Sequence, residues 1–168
     1  DVHHVDDRHG NNEIDNLVTA CRICHACHHL GFAAMTSSGQ RAGVMLWLPE
    51  VSQALLNRLL RGVYVTQQIG TEGQRREAAT IWNMLMERSA AVRDAWGTDD
   101  PVRFANKLLL LPDEQYSQRE LFMAPLRVVF TPQSQMLSKA VSKWVEQLGK
   151  LPPDNWEAVA GSVVGRLQ

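Results

Sequence analysis

The chain has 168 residues, of which 45% are hydrophobic and 21% charged, with a net charge of −1. These values suit one domain with a real core, or a small module with a helical extension, and they exclude disorder as the main description. The balanced charge gives no global footprint for nucleic acid. The longest apolar stretches, such as Val44–Leu48 and Leu108–Leu111, are far too short to cross a bilayer, and the N-terminus shows no secretory leader pattern, so no membrane insertion is expected.

In chain order, residues 1–50 read as a compact metal-type module. Val2–Val5 is a short strand whose side chains alternate. Asp6–Asn12 is a turn-rich loop, and Leu17–Ala20 a second short strand. A helix starts near Cys21, carries Cys24, Cys27 and His28 on neighbouring faces, and stops at Gly31. After a loop over Ser37–Gly43, Val44–Leu48 is a strand ended by Pro49.

Residues 51–168 read as almost entirely helical, which makes the expected fold α+β, mostly α. Ser52 caps a helix lined by Leu55, Leu56, Leu59, Leu60 and Val63. Gly70 and Gly73 interrupt it, and Arg75–Trp96 is the next helix, closed by Gly97. Pro101 opens another, with Asp99 or Asp100 as its cap and Phe104, Leu108 and Leu111 at helical spacing. Gln118–Phe130 is ambiguous because Pro125 interrupts it. Gln135–Leu148 has the cleanest helical period, and a last helix follows Pro152–Pro153. Trp96, Trp144 and Trp156 serve either as core or as anchors for a partner.

All 6 His and all 3 Cys lie between His3 and His29. Cys21, Cys24 and Cys27 repeat a Cys-x-x-Cys spacing twice over, which reads as metal ligation rather than a disulfide framework. Around them stand a His-His pair on the first strand, Asn16 before the second strand, and His25 and His29 in the helical segment. His3 and His4 face opposite ways on a strand, so the two imidazoles have different tasks. A neutral imidazole suits a general base near physiological pH, and an Asn amide can both donate and accept to hold a loop.

The run from the His-His pair through Asn16 to Cys21-x-x-Cys24-His25 resembles the HNH nucleases and their ββα-metal arrangement. That resemblance implies His3 as metal ligand, His4 as general base, Asn16 as the central asparagine and His25 as the last histidine, with His29 sharing a divalent-metal site. An active nuclease of this kind would use magnesium or manganese. It also implies a structural zinc held by two Cys pairs, of which Cys21 and Cys24 match the second. No pair precedes His3. Either the chain is an N-terminally incomplete piece, or Cys27, His28 or His29 completes the zinc site.

Asn16–Cys27, followed by Val44-Met45-Leu46-Trp47-Leu48-Pro49-Glu50-Val51, is similar to the IcmJ/DotN family of type IVB (Dot/Icm-type) secretion and conjugation machines. Asp100-Pro101 and the Lys143-Trp144 helix fit that family's helical tail more loosely. The resemblance implies a cytoplasmic adaptor, peripheral at the inner membrane, with a structural zinc. Its partners would be the C-terminal tail of the coupling ATPase and other coupling-complex subunits. DNA is a less favoured partner, because Arg8, Arg22 and Arg41 are the only basic residues in 1–50 against Asp1, Asp6, Asp7, Glu13, Asp15 and Glu50.

Overall fold

A computed structural model describes residues 1–6, 8–30, 41–131 and 134–148. The chain is mostly helical with two small antiparallel sheets. The helix expected after Pro152–Pro153, and the chain around Gly31 and Ser37, lie outside the described residues.

The first unit is a hairpin and a helix. β1 (Val2–His4) pairs antiparallel with β2 (Leu17–Thr19), His3 opposite Val18. One turn of 3-10 helix over Ile14–Asn16 leads into β2. α1 (Arg22–His28) follows, with Cys21 as its cap. Ile23 and Ala26 of α1 are buried in the main core, which ties this unit to the rest of the chain.

The second unit is built on β3 (Gly43–Trp47), paired antiparallel with β4 (Leu126–Phe130). β4 lies in the stretch read as ambiguous, within a region read as almost wholly helical. Its sequence, Leu-Arg-Val-Val-Phe, lacks clean alternation because both faces of the two-stranded sheet are covered. Val44, Leu46 and Val129 enter one apolar cluster with Leu56, Leu60, Tyr64 and Leu137. Met45, Leu126 and Val128 enter another with Val92, Phe104 and Leu108. The pairing also joins β3, expected in the N-terminal module, to the helical region.

Among the described residues seven more helices follow β3, six before β4 and one after it. α2 (Gln53–Ile69) starts where the Ser52 hydroxyl accepts from Leu55 N–H at 3.2 Å. It buries Leu56, Leu60, Val63 and Tyr64, while Leu55 and Leu59, expected on the same face, are exposed. α3 (Glu72–Glu87) runs through Gly73, because Thr71 and Gln74 form a reciprocal capping box just ahead of it. The single helix expected over 75–96 is broken: α4 (Ser89–Trp96) starts anew after Arg88. The Arg88 carbonyl accepts from Trp47 N–H of β3 at 3.1 Å, so the sheet edge fixes the break. Gly97 closes α4 with φ 69°, the left-handed geometry glycine tolerates.

Asp100, not Asp99, caps α5 (Pro101–Leu109), accepting from Val102 and Arg103 N–H at 2.9 and 3.0 Å. The Asp99 carboxylate instead holds Arg41 at 2.8 Å and Arg93 at 2.5 Å. Two short helices, α6 (Asp113–Ser117) and α7 (Arg119–Met123), lead into β4. α8 (Gln135–Leu148) packs along α2 and touches α1. α2 thus sits between the N-terminal unit, α3 and α8, and it carries the chain's contacts to the site described next.

Candidate metal centre

Strand alternation sorts the two neighbouring histidines. Asp1 and Ala20 extend the hairpin ladder, with Ala20 N–H donating to the Asp1 carbonyl at 3.0 Å and the Asp1 amino group to the Ala20 carbonyl at 3.1 Å. His3 therefore shares a sheet face with Asp1, and His4 takes the opposite face with Val2. On the His3 side lies the end of α1. The His3 ring is 5.6 Å from His25, 4.4 Å from His28 in a stacked pair, and 6.3 Å from His29, centre to centre.

His25 and His29 are one helical turn apart, which puts them on one face. Their ring centres are 4.8 Å apart. One nitrogen each from His3, His25 and His29 lies within 4.8 Å of the others, and these form the sole group of three or more such donors among the described residues. His25 Nδ1 lies 3.4 Å from Asp1 Oδ2. Three convergent imidazoles suit zinc, nickel or copper, whereas magnesium and manganese favour oxygen donors. Three protein ligands also leave a coordination position for water or substrate. The donor chemistry therefore fits a transition-metal ion better than the magnesium or manganese expected for a nuclease.

His4 and Asn16, expected as base and orienting amide, are held differently. Asn16, 9% exposed, accepts from Asp6 N–H at 3.0 Å through Oδ1 and donates to the Asn11 carbonyl at 2.8 Å. It braces the 6–16 loop. The side chain that reaches His4 is Asn12, whose Oδ1 is 3.2 Å from His4 Nε2. His9 lies between this residue and the cluster, its ring 5.2 Å from His4 and 6.2 Å from His29. Hydrogen bonds from Asn11 and from Arg8 N–H hold the loop carboxylate of Asp6 down to about 2, so it stays ionised.

The three thiols stand outside the histidine group. Cys21 Sγ caps α1, accepting from Cys24 N–H at 3.2 Å. Burial raises the Cys24 thiol, helped by its contact with Cys21, while the Asn57 amide opposes the shift. Cys27 donates its S–H to the Ile23 carbonyl at 3.1 Å and packs against both apolar clusters. Burial pushes its thiol up to about 12, which keeps it protonated in the metal-free chain. Cys24 and Cys27 share one neighbour, the Asn57 side-chain amide, at 3.4 and 3.6 Å from their sulfurs.

Three contributors escaped the sequence reading: Asp1, Asn12 and Asn57. Asp1 carried a local signal, since it stands two residues before His3 and so on its strand face. Asn57 carried none, because it reaches Cys24 and Cys27 from a helix far along the chain.

No family model matches the chain. It is 28% identical over 146 residues to the type 4 apparatus protein DotN of Legionella pneumophila subsp. pneumophila strain Philadelphia 1. The match covers 86% of this chain, and the chain spans 66% of that protein's length. Among the described residues no helix is long and apolar enough to cross a membrane. The chain is thus similar over most of its length to a component of a type 4 apparatus, in keeping with the IcmJ/DotN resemblance of its motifs.

Proposed function

We propose that this chain is a structural subunit of a Dot/Icm-type secretion or conjugation machine, an adaptor that captures the C-terminal tail of the coupling ATPase beside other coupling-complex subunits. In that role it works in the cytoplasm, held peripherally at the inner membrane through the complex. The observation that carries this reading is the similarity to DotN along 86% of the chain. Helical tails are commonly captured by laying an apolar face into a groove. A groove between α2 and α8 is lined by Tyr64, Ile69, Leu137, Val141 and Val145 together with Gln67, Gln68, Ser138 and Ser142. A zinc ion at His3, His25 and His29 would brace the hairpin against α1, since metal binding free energy adds to folding free energy.

The test is binding of the full chain to a coupling-ATPase C-terminal peptide by calorimetry, with Val141→Asp as the groove variant. Binding that weakens at least tenfold in Val141→Asp supports the adaptor. Absence of any complex with the peptide or with co-expressed coupling subunits removes it.

A second reading is favoured by the convergence of His3, His25 and His29 on one side of the hairpin. It is a metal-dependent HNH-type DNA endonuclease. The bound ion would neutralise charge on the attacked phosphate. His4, poised by Asn12, would take the proton from the attacking water. Asn16 would keep the loop that carries Asn12 in place. A nicking assay with zinc, nickel, magnesium or manganese separates the readings: cleavage lost in His4→Ala supports the nuclease, and no cleavage by either protein eliminates it.

A further inference from the structure

We infer that Asp1 is the positioning residue of the histidine centre, working through His25 rather than touching the ion. The inference rests on the reading that His3, His25 and His29 hold a metal.

Four observations converge on it. Asp1 and Ala20 exchange two backbone hydrogen bonds, so the residue is fixed in the hairpin ladder. Its side chain leaves β1 on the same face as His3. Its Oδ2 lies 3.4 Å from His25 Nδ1. His25 is in turn one of the three imidazoles whose nitrogens converge within 4.8 Å. One strand face therefore serves the centre twice, through His3 directly and through the carboxylate behind His25.

The chemistry follows from the imidazole. A neutral ring carries one proton, and the nitrogen that carries it cannot ligate. A carboxylate at Nδ1 draws the proton there and leaves the Nε2 lone pair for the ion. It also sets the ring plane. Three imidazoles bring no formal charge to a dipositive ion, so a carboxylate just outside them supplies compensation. The Asp1 side chain is half-exposed and the His25 side chain largely covered, so the pair can tighten on loading without a change in the core.

The experiment titrates the full chain with cobalt alone and reads the visible spectrum of the bound ion. Nitrogen-only ligation lacks the sulfur-to-metal absorption that Cys21 and Cys24 would give. Wild type should bind one ion without that absorption. Asp1→Ala should weaken binding about tenfold to a hundredfold, the usual effect of removing such an outer partner, and Asp1→Glu should recover part of the loss. The melting curve of the metal-free Asp1→Ala protein should match wild type. Nitrogen-15 NMR of the metal-free chain should show His25 protonated at Nδ1, and a mixture of tautomers in Asp1→Ala. If Asp1→Ala binds cobalt as wild type does with the tautomer unchanged, the inference is overturned and the centre stands. If wild type binds no cobalt at nitrogen, the centre itself is refuted and Asp1 with it.

Discussion

The Asn57 side-chain nitrogen lies 3.4 Å from Cys24 Sγ, and it approaches Cys27 Sγ at 3.6 Å. The same amide accepts from Gln53 Nε2 at 2.9 Å. Gln53 in turn pairs with both the N–H and the carbonyl of Val128, each at 2.9 Å. Two side chains of α2 thus link the cysteine face of α1 to the edge of β4. Asn57→Leu deletes the middle of this relay and strands the Gln53 donor and the sulfurs. It should destabilise the chain by about 1–3 kcal/mol, the cost of leaving part-buried polar groups unpaired. Urea unfolding checks the value, with an unchanged slope excluding a shift in compactness.

Cys27 and Cys21 should differ sharply as nucleophiles. Cys27 is half-buried with its thiol raised from 9.0 to about 12, whereas Cys21 is exposed at the helix cap. Alkylation at pH 8 followed by mass mapping should label Cys21 and spare Cys27 until the chain unfolds. The linkage has a definite sign. The unfolded chain ionises this thiol above pH 9.0 and the folded chain does so only near 12, so stability is present below 9.0 and is lost between the two values. The slope from this group is at most about 1.4 kcal/mol per pH unit, and Cys27→Ala should remove it.

Asp99 behaves in the opposite sense. Burial alone would raise its carboxyl, but hydrogen bonds and charge from Arg41 and Arg93 outweigh burial and lower it. Its stabilisation is therefore present above the unfolded value of 3.8 and is lost as pH falls through the lower folded value. Asp99→Asn should cost about 1–3 kcal/mol at neutral pH, because both guanidinium groups are partly solvated and can recover water. The gap to wild type should close as the pH is lowered, which thermal melts across an acid series would show.

Zinc should stabilise the chain through the histidines and not through Cys27. At a free concentration a hundred times the dissociation constant, the gain is about 2.7 kcal/mol. His3→Ala and His25→Ala should abolish the upward shift of the melting temperature. Cys27→Ala should leave the shift intact. A shift retained in both histidine variants would place the ion elsewhere.

Local chemistry made much of the molecule legible before any fold was known. Ser52 and Asp100 cap helices because a short oxygen-bearing side chain there satisfies free N–H groups, and Pro101 suits the first turn that follows. The crowding of His and Cys before residue 30 marked where donor chemistry sits, and the His25–His29 spacing put two imidazoles on one helical face.

What the tertiary structure decided depends on contacts between segments remote in sequence. β4 exists because β3 supplies its partner and two clusters cover its faces, a condition its own residues do not record. The break at Arg88 is set by Trp47, and the choice between Asp99 and Asp100 as cap by where Arg41 and Arg93 stand. Cys27 fits a ligand spacing, and its packing against both apolar clusters was not legible, because spacing fixes a position along a helix and tertiary packing fixes what that position faces.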